Sequence, residues 1–138
     1  MTQEKKCKDL VKQKYQERKE DIGNIYHNDE DPMFKLNEYS LSWDYVSPNT
    51  FNDQPDGYYR WQLSYGGPAD EFRIYTDAQA KYLGEICKNI QSVEYWYLDW
   101  FDGASIELDD IKDYEVFEVI EWQLELDKFP YEHEEEVA

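Results

Sequence analysis

The stretch that decides the fold is SVEYWYLDWFDGASIELDD, residues 92–110. In VEYWYLDWF both alternating sets of side chains are rich in apolar residues, which is typical of a strand covered on both faces. The dipeptide Asp102-Gly103 is a turn signal, and ASIEL after it returns as a second strand. The stretch therefore predicts a hairpin built on a central strand, and it places six carboxylates beside these rings.

The chain upstream of this hairpin also reads as strands. From residue 37 the apolar residues recur at every second position, as in a strand with one buried face. The loop GGPAD, residues 66–70, then turns the chain into EFRIYT and closes a second hairpin. The pattern places these residues on one side of two successive strands: Tyr39, Leu41, Trp43 and Tyr45, then Tyr59, Trp61, Leu63 and Tyr65.

Helices are predicted at both ends of the chain. The first ends at Gly23, and Pro32 prevents a helix from continuing through the polar turn that follows. The second starts at Asp109 or Asp110 and stops before Pro130. A short helix is also expected within TDAQAKYLGEICKN, residues 76–89.

These elements predict an α+β fold, an antiparallel sheet of four to five strands with an N-terminal and a C-terminal helix packed on it. A length of 138 residues is typical of one domain. The expected parts of this single domain, 1–138, are a basic N-terminal helix at 1–22, a β-rich core at 37–108, an acidic C-terminal helix at 110–129 and an acidic tail at 131–138.

Charge is the strongest functional signal in the sequence. The chain has 32 acids and 14 bases, a net charge of −18, and residues 94–138 alone hold sixteen acids against two bases. Such a balance disfavours nucleic acid or an anionic membrane as a direct partner. Two cysteines without a CxxC pair and the lack of an apolar leader or a spanning segment favour a soluble protein of the reducing cytoplasm.

Catalytic motifs are scarce. The two histidines, His27 and His133, lie beside a turn and in the tail, where solvated side chains are commoner than general bases. Cys87 is more typical of a small buried side chain than of a nucleophile. The sequence therefore predicts a protein that is not an enzyme and binds no cofactor.

The C-terminal helix carries a row of acids. Glu115, Glu118, Glu121 and Glu125 follow each other at three, three and four residues, so they share one helix face. Together with the acids of the hairpin they predict a surface of one sign, which we expect to contact the partner. The predicted contact residues are Glu94, Asp99, Asp102, Glu107, Asp109, Asp110, Asp113, Glu115, Glu118, Glu121, Glu125 and Asp127.

In its acidity, small size and mixed α/β pattern the chain resembles the DNA-mimic inhibitors of phages and plasmids, the antirestriction and anti-CRISPR proteins. The resemblance implies a cytoplasmic inhibitor whose carboxylates replace DNA phosphates on a basic nucleic-acid-binding protein, such as a defence nuclease or effector complex. The segments QLSYGGPADEFRIY and EYWYLDWFDGAS also resemble proteins of mobile elements.

The sequence is also compatible with two other functions. An immunity protein that neutralises a toxin would present the same acids to a basic cleft. A metal-dependent enzyme would instead use Asp99, Asp102, Glu107, Asp109 and Asp110 as oxygen ligands, although their spacing does not match a calcium loop. The basic N-terminal helix is expected to lie against the acidic body or to contact a second copy in a homodimer, with a solvated helix as the third alternative.

Overall fold

The computed structural model describes residues 6–76, 90–100 and 102–125. Within these ranges the sheet has five antiparallel strands in the order β1-β2-β3-β4-β5, so each strand pairs with its neighbour in sequence. The predicted α+β fold is confirmed, with helices on the sheet. The elements are α1 Cys7–Asn28, α2 Pro32–Tyr39, β1 Ser42–Val46, β2 Tyr58–Ser64, β3 Ala69–Thr76, β4 Ile90–Asp99, β5 Asp102–Glu107 and α3 Tyr114–Glu125.

The core lies between one face of the sheet and the helices. Trp61, Phe72 and Tyr95 project from β2, β3 and β4 and are fully buried in one cluster with the apolar residues of α1 and α3. Their rings contact one another, with Trp61 and Phe72 stacked at 5.2 Å between centroids. Aromatic pairs of this kind add to the stability gained from burial. The alternation seen in the sequence therefore identifies the helix-facing side of β2 correctly.

The first predicted strand starts too early. Residues 37–39 belong to α2, whose first turn contains Pro32 and is capped by the Asp31 carboxylate, which accepts a hydrogen bond from the Phe34 N–H at 3.1 Å. Proline is favoured at this helical position because its missing N–H is not needed there. Helix α1 ends at Asn28, before Pro32, as expected, but Pro32 also begins a second helix that the sequence did not predict. Leu41, predicted to face the core, is 54% exposed.

Helix α1 continues past its predicted end at Gly23 and reaches Asn28. The extra turns bury Ile25, following Ile22 one turn earlier. An interior glycine costs a helix roughly 0.5–1 kcal/mol, and burial of an isoleucine offsets this. Tertiary packing therefore overrides the glycine signal.

Helix α3 begins at Tyr114, after a turn over residues 110–113, and not at residue 110 as predicted. Strand β4 is buried on its helix side only, since Glu94, Trp96 and Leu98 on the other side are half-buried. The predicted helix within 76–89, the end of the C-terminal helix at 126–129 and the tail at 131–138 lie outside the described residues, apart from Thr76 at the end of β3.

Candidate interaction surface

Helix α1 lies against the acidic body, as one of the three alternatives for it anticipated. Arg18 donates through Nε and one terminal nitrogen to the two oxygens of Asp70, at 2.6 and 2.9 Å. Lys19 forms an ion pair with Asp113 at 2.9 Å. Asp70 and Asp113 are only 4% and 7% exposed. Part of the positive charge of α1 therefore neutralises buried carboxylates of the same chain.

Asp113 has a structural role. Its carboxylate accepts hydrogen bonds from the Tyr15 hydroxyl at 2.6 Å and from the Asp109 N–H at 2.9 Å, besides its ion pair with Lys19. Burial raises the pKa of Asp113, but these hydrogen bonds outweigh it and leave the pKa below its ordinary value. With its oxygens occupied and buried, Asp113 is unsuited to the partner contact that the sequence predicted.

Two other predicted acids are held by backbone N–H groups and remain exposed. Asp102 accepts from the N–H of Cys7, the first residue of α1, at 2.8 Å. Asp109 accepts from the N–H groups of Lys112 and Ile111 in the turn before α3. These backbone donors lower the pKa of both carboxyls. Because the donors are neutral, the carboxylates are fixed in position and keep their full charge.

The row of glutamates on α3 does not face solvent as one stripe. Glu115 contacts His27, and Glu118 accepts a hydrogen bond from the Tyr26 hydroxyl at 2.6 Å, so both are half-buried against α1. Glu121 is exposed. The side chain of Glu125 and all of Asp127 lie outside the described residues. The prediction that Glu115 and Glu118 lie on the solvent side is therefore wrong, because α1 packs over this part of the helix.

The β4–β5 hairpin places acids directly opposite each other. Glu94 pairs with Glu107 across the two strands, and Asp99 pairs with Asp102 next to the turn. Side chains at such positions have Cβ atoms about 4.5–5.5 Å apart, and like charges there are destabilising. None of the four acids forms an ion pair with another described residue. Cations lie near both pairs without forming an ion pair, since Arg73 is opposite Glu94 across β3 and β4, and Lys6 contributes to the lowered pKa of Asp102.

The turns at one end of the sheet expose two large rings. Trp100, between β4 and β5, is 85% exposed, and Tyr65, between β2 and β3, is 81% exposed. The two turns are neighbours because Ala69 at the start of β3 pairs with Leu98 near the end of β4. We call these two side chains the aromatic tip. The tip lies beside the Asp99–Asp102 pair.

The open face of the sheet, opposite the helices, holds a groove of about 1150 Å³. Its floor carries alternating charges. Arg60 is paired with Asp44, and Arg73 is paired with Glu71 while lying 4.0 Å from the ring centre of Trp96. The Tyr58 hydroxyl is buried there without a hydrogen-bond partner among the described residues. Glu94 lies on this face as well, accepting from the Trp96 indole N–H at 3.0 Å.

The metal-site alternative receives no support from the geometry. Across residues 6–76, 90–100 and 102–125 no three His, Cys, Asp or Glu side chains are grouped so as to hold a metal ion. The thiol of Cys7 is buried, and burial, with a contribution from the hydrogen bond to Asp102, raises its pKa to about 11. A thiol in this state is a poor nucleophile. Cys87 and His133 lie outside the described residues.

Comparison with known proteins adds no relative. No protein-family model, curated protein or solved structure matches the chain. None of the helices in the described part of the chain is long and apolar enough to cross a membrane.

The sequence missed two features of this surface. Asp70 lies 52 residues from Arg18, and only the fold brings them together. Trp100 belongs to an aromatic run that predicts a buried strand, and its exposure follows from its place in the turn after β4. The dipeptide Asp102-Gly103 correctly indicated a nearby turn. The turn lies just before this dipeptide, because Asp102 is already the first residue of β5.

Proposed function

We propose that the protein is a non-catalytic inhibitor that acts in the cytoplasm on a basic nucleic-acid-binding protein. Its carboxylates occupy the positions where that partner binds DNA phosphates. The observation that carries the proposal is the β4–β5 hairpin, where Glu94 opposes Glu107, Asp99 opposes Asp102, and none of the four acids forms an ion pair with a described residue. Such pairs cost stability, and binding to a basic surface relieves their repulsion.

The way in which individual acids are held supports the same function. A flexible carboxylate loses conformational freedom when it binds, which weakens the complex. Asp102 and Asp109 are already held by backbone N–H groups while remaining exposed. These neutral donors fix the carboxylates without cancelling their charge. These carboxylates are negative charges fixed in position, like the phosphates of a DNA duplex.

The described residues also carry enough unpaired charge for this function. They hold twenty-four acids and ten bases, and the ion pairs among them use six of the acids, Glu17, Asp44, Asp70, Glu71, Asp113 and Glu115. A surface of this kind attracts a basic partner over long range and speeds its association. The toxin-immunity alternative uses the same attraction on a different target.

A pair of charge-matched variants tests the proposal. The surface variant carries Glu107→Gln, Asp110→Asn and Glu121→Gln, which are exposed acids of the predicted contact set. The control variant carries Glu30→Gln, Asp56→Asn and Glu38→Gln, exposed acids outside this set. Both lose the same charge. Each immobilised protein is used to capture partners from a cell lysate, and the captured proteins are quantified by mass spectrometry and tested for nucleic-acid binding.

We expect the wild-type protein and the control variant to capture the same nucleic-acid-binding protein, and the surface variant to capture much less of it. Equal capture by the two variants would mean that net charge alone attracts the partner. Capture of a partner that binds no nucleic acid would contradict the proposal and favour the toxin-immunity alternative.

A further inference from the structure

The two rings of the aromatic tip are exposed and are not part of the hydrophobic core. Trp100 and Tyr65 are 85% and 81% exposed, whereas Trp61 is fully buried. Tryptophan and tyrosine are the residue types that most often supply the binding energy of protein interfaces. Two such rings on neighbouring turns form a compact contact area.

The backbone and the neighbouring turn both fix the position of Trp100. The residue has a φ of 57°, in the left-handed region that bulky side chains rarely adopt. Its indole lies over Gly67, because a Cβ added to that glycine would be 3.2 Å from the indole nitrogen. The indole therefore lies against the neighbouring turn and exposes most of its surface to solvent. A strained residue that presents an exposed ring is typical of functional surfaces.

The charges around the tip indicate what binds to it. Asp99 directly precedes Trp100, and its Oδ1 atom is 3.7 Å from the Cβ position of Gly67. Asp102 follows two residues later and is exposed. An indole face attracts a cation through its quadrupole, and nearby carboxylates attract the same cation. Arginine satisfies both, since its planar guanidinium stacks on rings and pairs with carboxylates.

We propose that the aromatic tip is the site where an arginine of the basic partner stacks on Trp100 and pairs with Asp99 or Asp102. This inference rests on the proposed function, since it names the partner group that the acidic surface receives. Bases of single-stranded nucleic acid also stack on exposed rings. The adjacent acid pair disfavours them, because it would repel the phosphates.

The test uses octa-arginine and octa-lysine peptides as probes, because both carry the same charge but only arginine has a planar group. The variant Trp100→Gly removes the ring and suits the left-handed backbone, so it is expected to fold. Phe34→Ala removes another exposed ring, 62% exposed, and serves as the control. Binding is measured by calorimetry and by the indole N–H signals in NMR spectra, where Trp100→Gly identifies the signal of Trp100.

We expect octa-arginine to shift the Trp100 indole signal, and Trp100→Gly to weaken its binding by about two- to fivefold, as for an exposed cation–π contact. Trp100→Gly should weaken the binding of octa-lysine less than that of octa-arginine. Phe34→Ala should leave the affinity for both peptides unchanged. Unchanged octa-arginine affinity in Trp100→Gly would overturn the inference. A larger shift of the same signal by a short oligothymidine than by octa-arginine would also overturn it.

The arginine site and the proposed function can be rejected independently of each other. If duplex DNA does not displace the protein from its captured partner, the proposed function is wrong, while an arginine-selective loss in Trp100→Gly would still support the tip as an arginine site. If DNA competes but Trp100→Gly binds octa-arginine with wild-type affinity, the proposed function is supported and the proposal that the aromatic tip binds arginine is wrong.

Discussion

At the scale of single residues, Asp70 shows how this acidic chain accommodates a buried charge. The carboxylate is 4% exposed and accepts hydrogen bonds from Arg18, from the Tyr95 hydroxyl at 2.6 Å and from the Ser64 hydroxyl. A charge buried in this way is stable only while its partners remain, because removing one of them leaves it unpaired. Arg18 thereby links α1 to the sheet.

We therefore expect Arg18→Ala to lower the free energy of unfolding by about 3 kcal/mol, since Asp70 would lose its cation. Lys14→Ala is the matched control on the same helix. Lys14 pairs with the exposed Glu17 at 3.7 Å, and such surface pairs contribute less than ~1 kcal/mol. Chemical denaturation measures both changes. A similar small loss in the two variants would show that Asp70 does not depend on Arg18.

Substitution of Trp100, unlike that of Arg18, is expected not to lower stability. A non-glycine residue in the left-handed region costs roughly 1–2 kcal/mol, and glycine carries no such cost. We expect Trp100→Gly to be at least as stable as the wild type, with a gain of up to about 1 kcal/mol after the larger entropy of its unfolded chain is included. Thermal unfolding followed by circular dichroism measures the change. A clear loss of stability would mean that the indole makes packing contacts needed by the fold.

At the scale of elements, three aspartates connect α1, β5 and the turn before α3. Hydrogen bonds lower the pKa of Asp102, Asp109 and Asp113 relative to the ordinary aspartate value of 3.8. A carboxyl whose pKa is lower in the folded state stabilises the protein above its unfolded pKa. This contribution is lost as the pH falls through the lower, folded pKa.

We expect the free energy of unfolding to decrease as the pH falls below about 4, where these three carboxyls take up protons. Asp113→Asn should be less stable at neutral pH and should show a weaker pH dependence in this range. Urea denaturation at a series of pH values measures both effects. An unaltered slope in the variant would show that Asp113 does not contribute to acid unfolding.

How much of each element was predictable depends on the range of the interactions that form it. Strand β2 was recognisable because apolar residues alternate along it, as in Tyr59, Trp61 and Leu63, whereas β4 was recognisable from its run of apolar and aromatic residues. Helix α2 was not predicted because its eight residues are too few for a clear helical period. A proline such as Pro32 can also either end a helix or occupy its first turn. The position of Gly23 inside α1 depends on burial against distant parts of the chain.

The candidate surface was predictable in composition but not in orientation. The concentration of acids after residue 93 is a property of the sequence. Which of them remain free depends on contacts such as Tyr26 with Glu118, 92 residues apart, and Tyr15 with Asp113, 98 residues apart. No local pattern indicates these contacts. The sequence therefore predicted one continuous acidic face where the structure divides the acids between α1 and solvent.

At the scale of the whole molecule, a net charge of −18 on 138 residues destabilises the folded state through self-repulsion. Added salt screens this repulsion, since the Debye length falls from roughly 30 Å at 0.01 M to about 8 Å at 0.15 M. We expect the thermal midpoint to rise by several degrees over this range of sodium chloride. A midpoint that falls would mean that attractive ion pairs, such as Arg18 with Asp70, dominate the electrostatics.

Binding should respond to salt in the opposite direction. The attraction between the acidic surface and a basic partner is screened by the same ions, so affinity should decrease steeply as salt is added. The two opposite trends, higher stability and weaker binding, separate repulsion within the molecule from attraction between molecules. Binding that is insensitive to salt would indicate an interface dominated by apolar contacts.

The central claim, that carboxylates of this protein occupy the place of DNA phosphates, is tested most directly by competition. The captured partner is titrated with the protein in the presence of increasing duplex DNA, and the apparent dissociation constant is measured at fixed salt. If the protein and DNA bind one site, the apparent dissociation constant rises linearly with DNA concentration from its value without DNA. An apparent constant that does not change with DNA would contradict the claim.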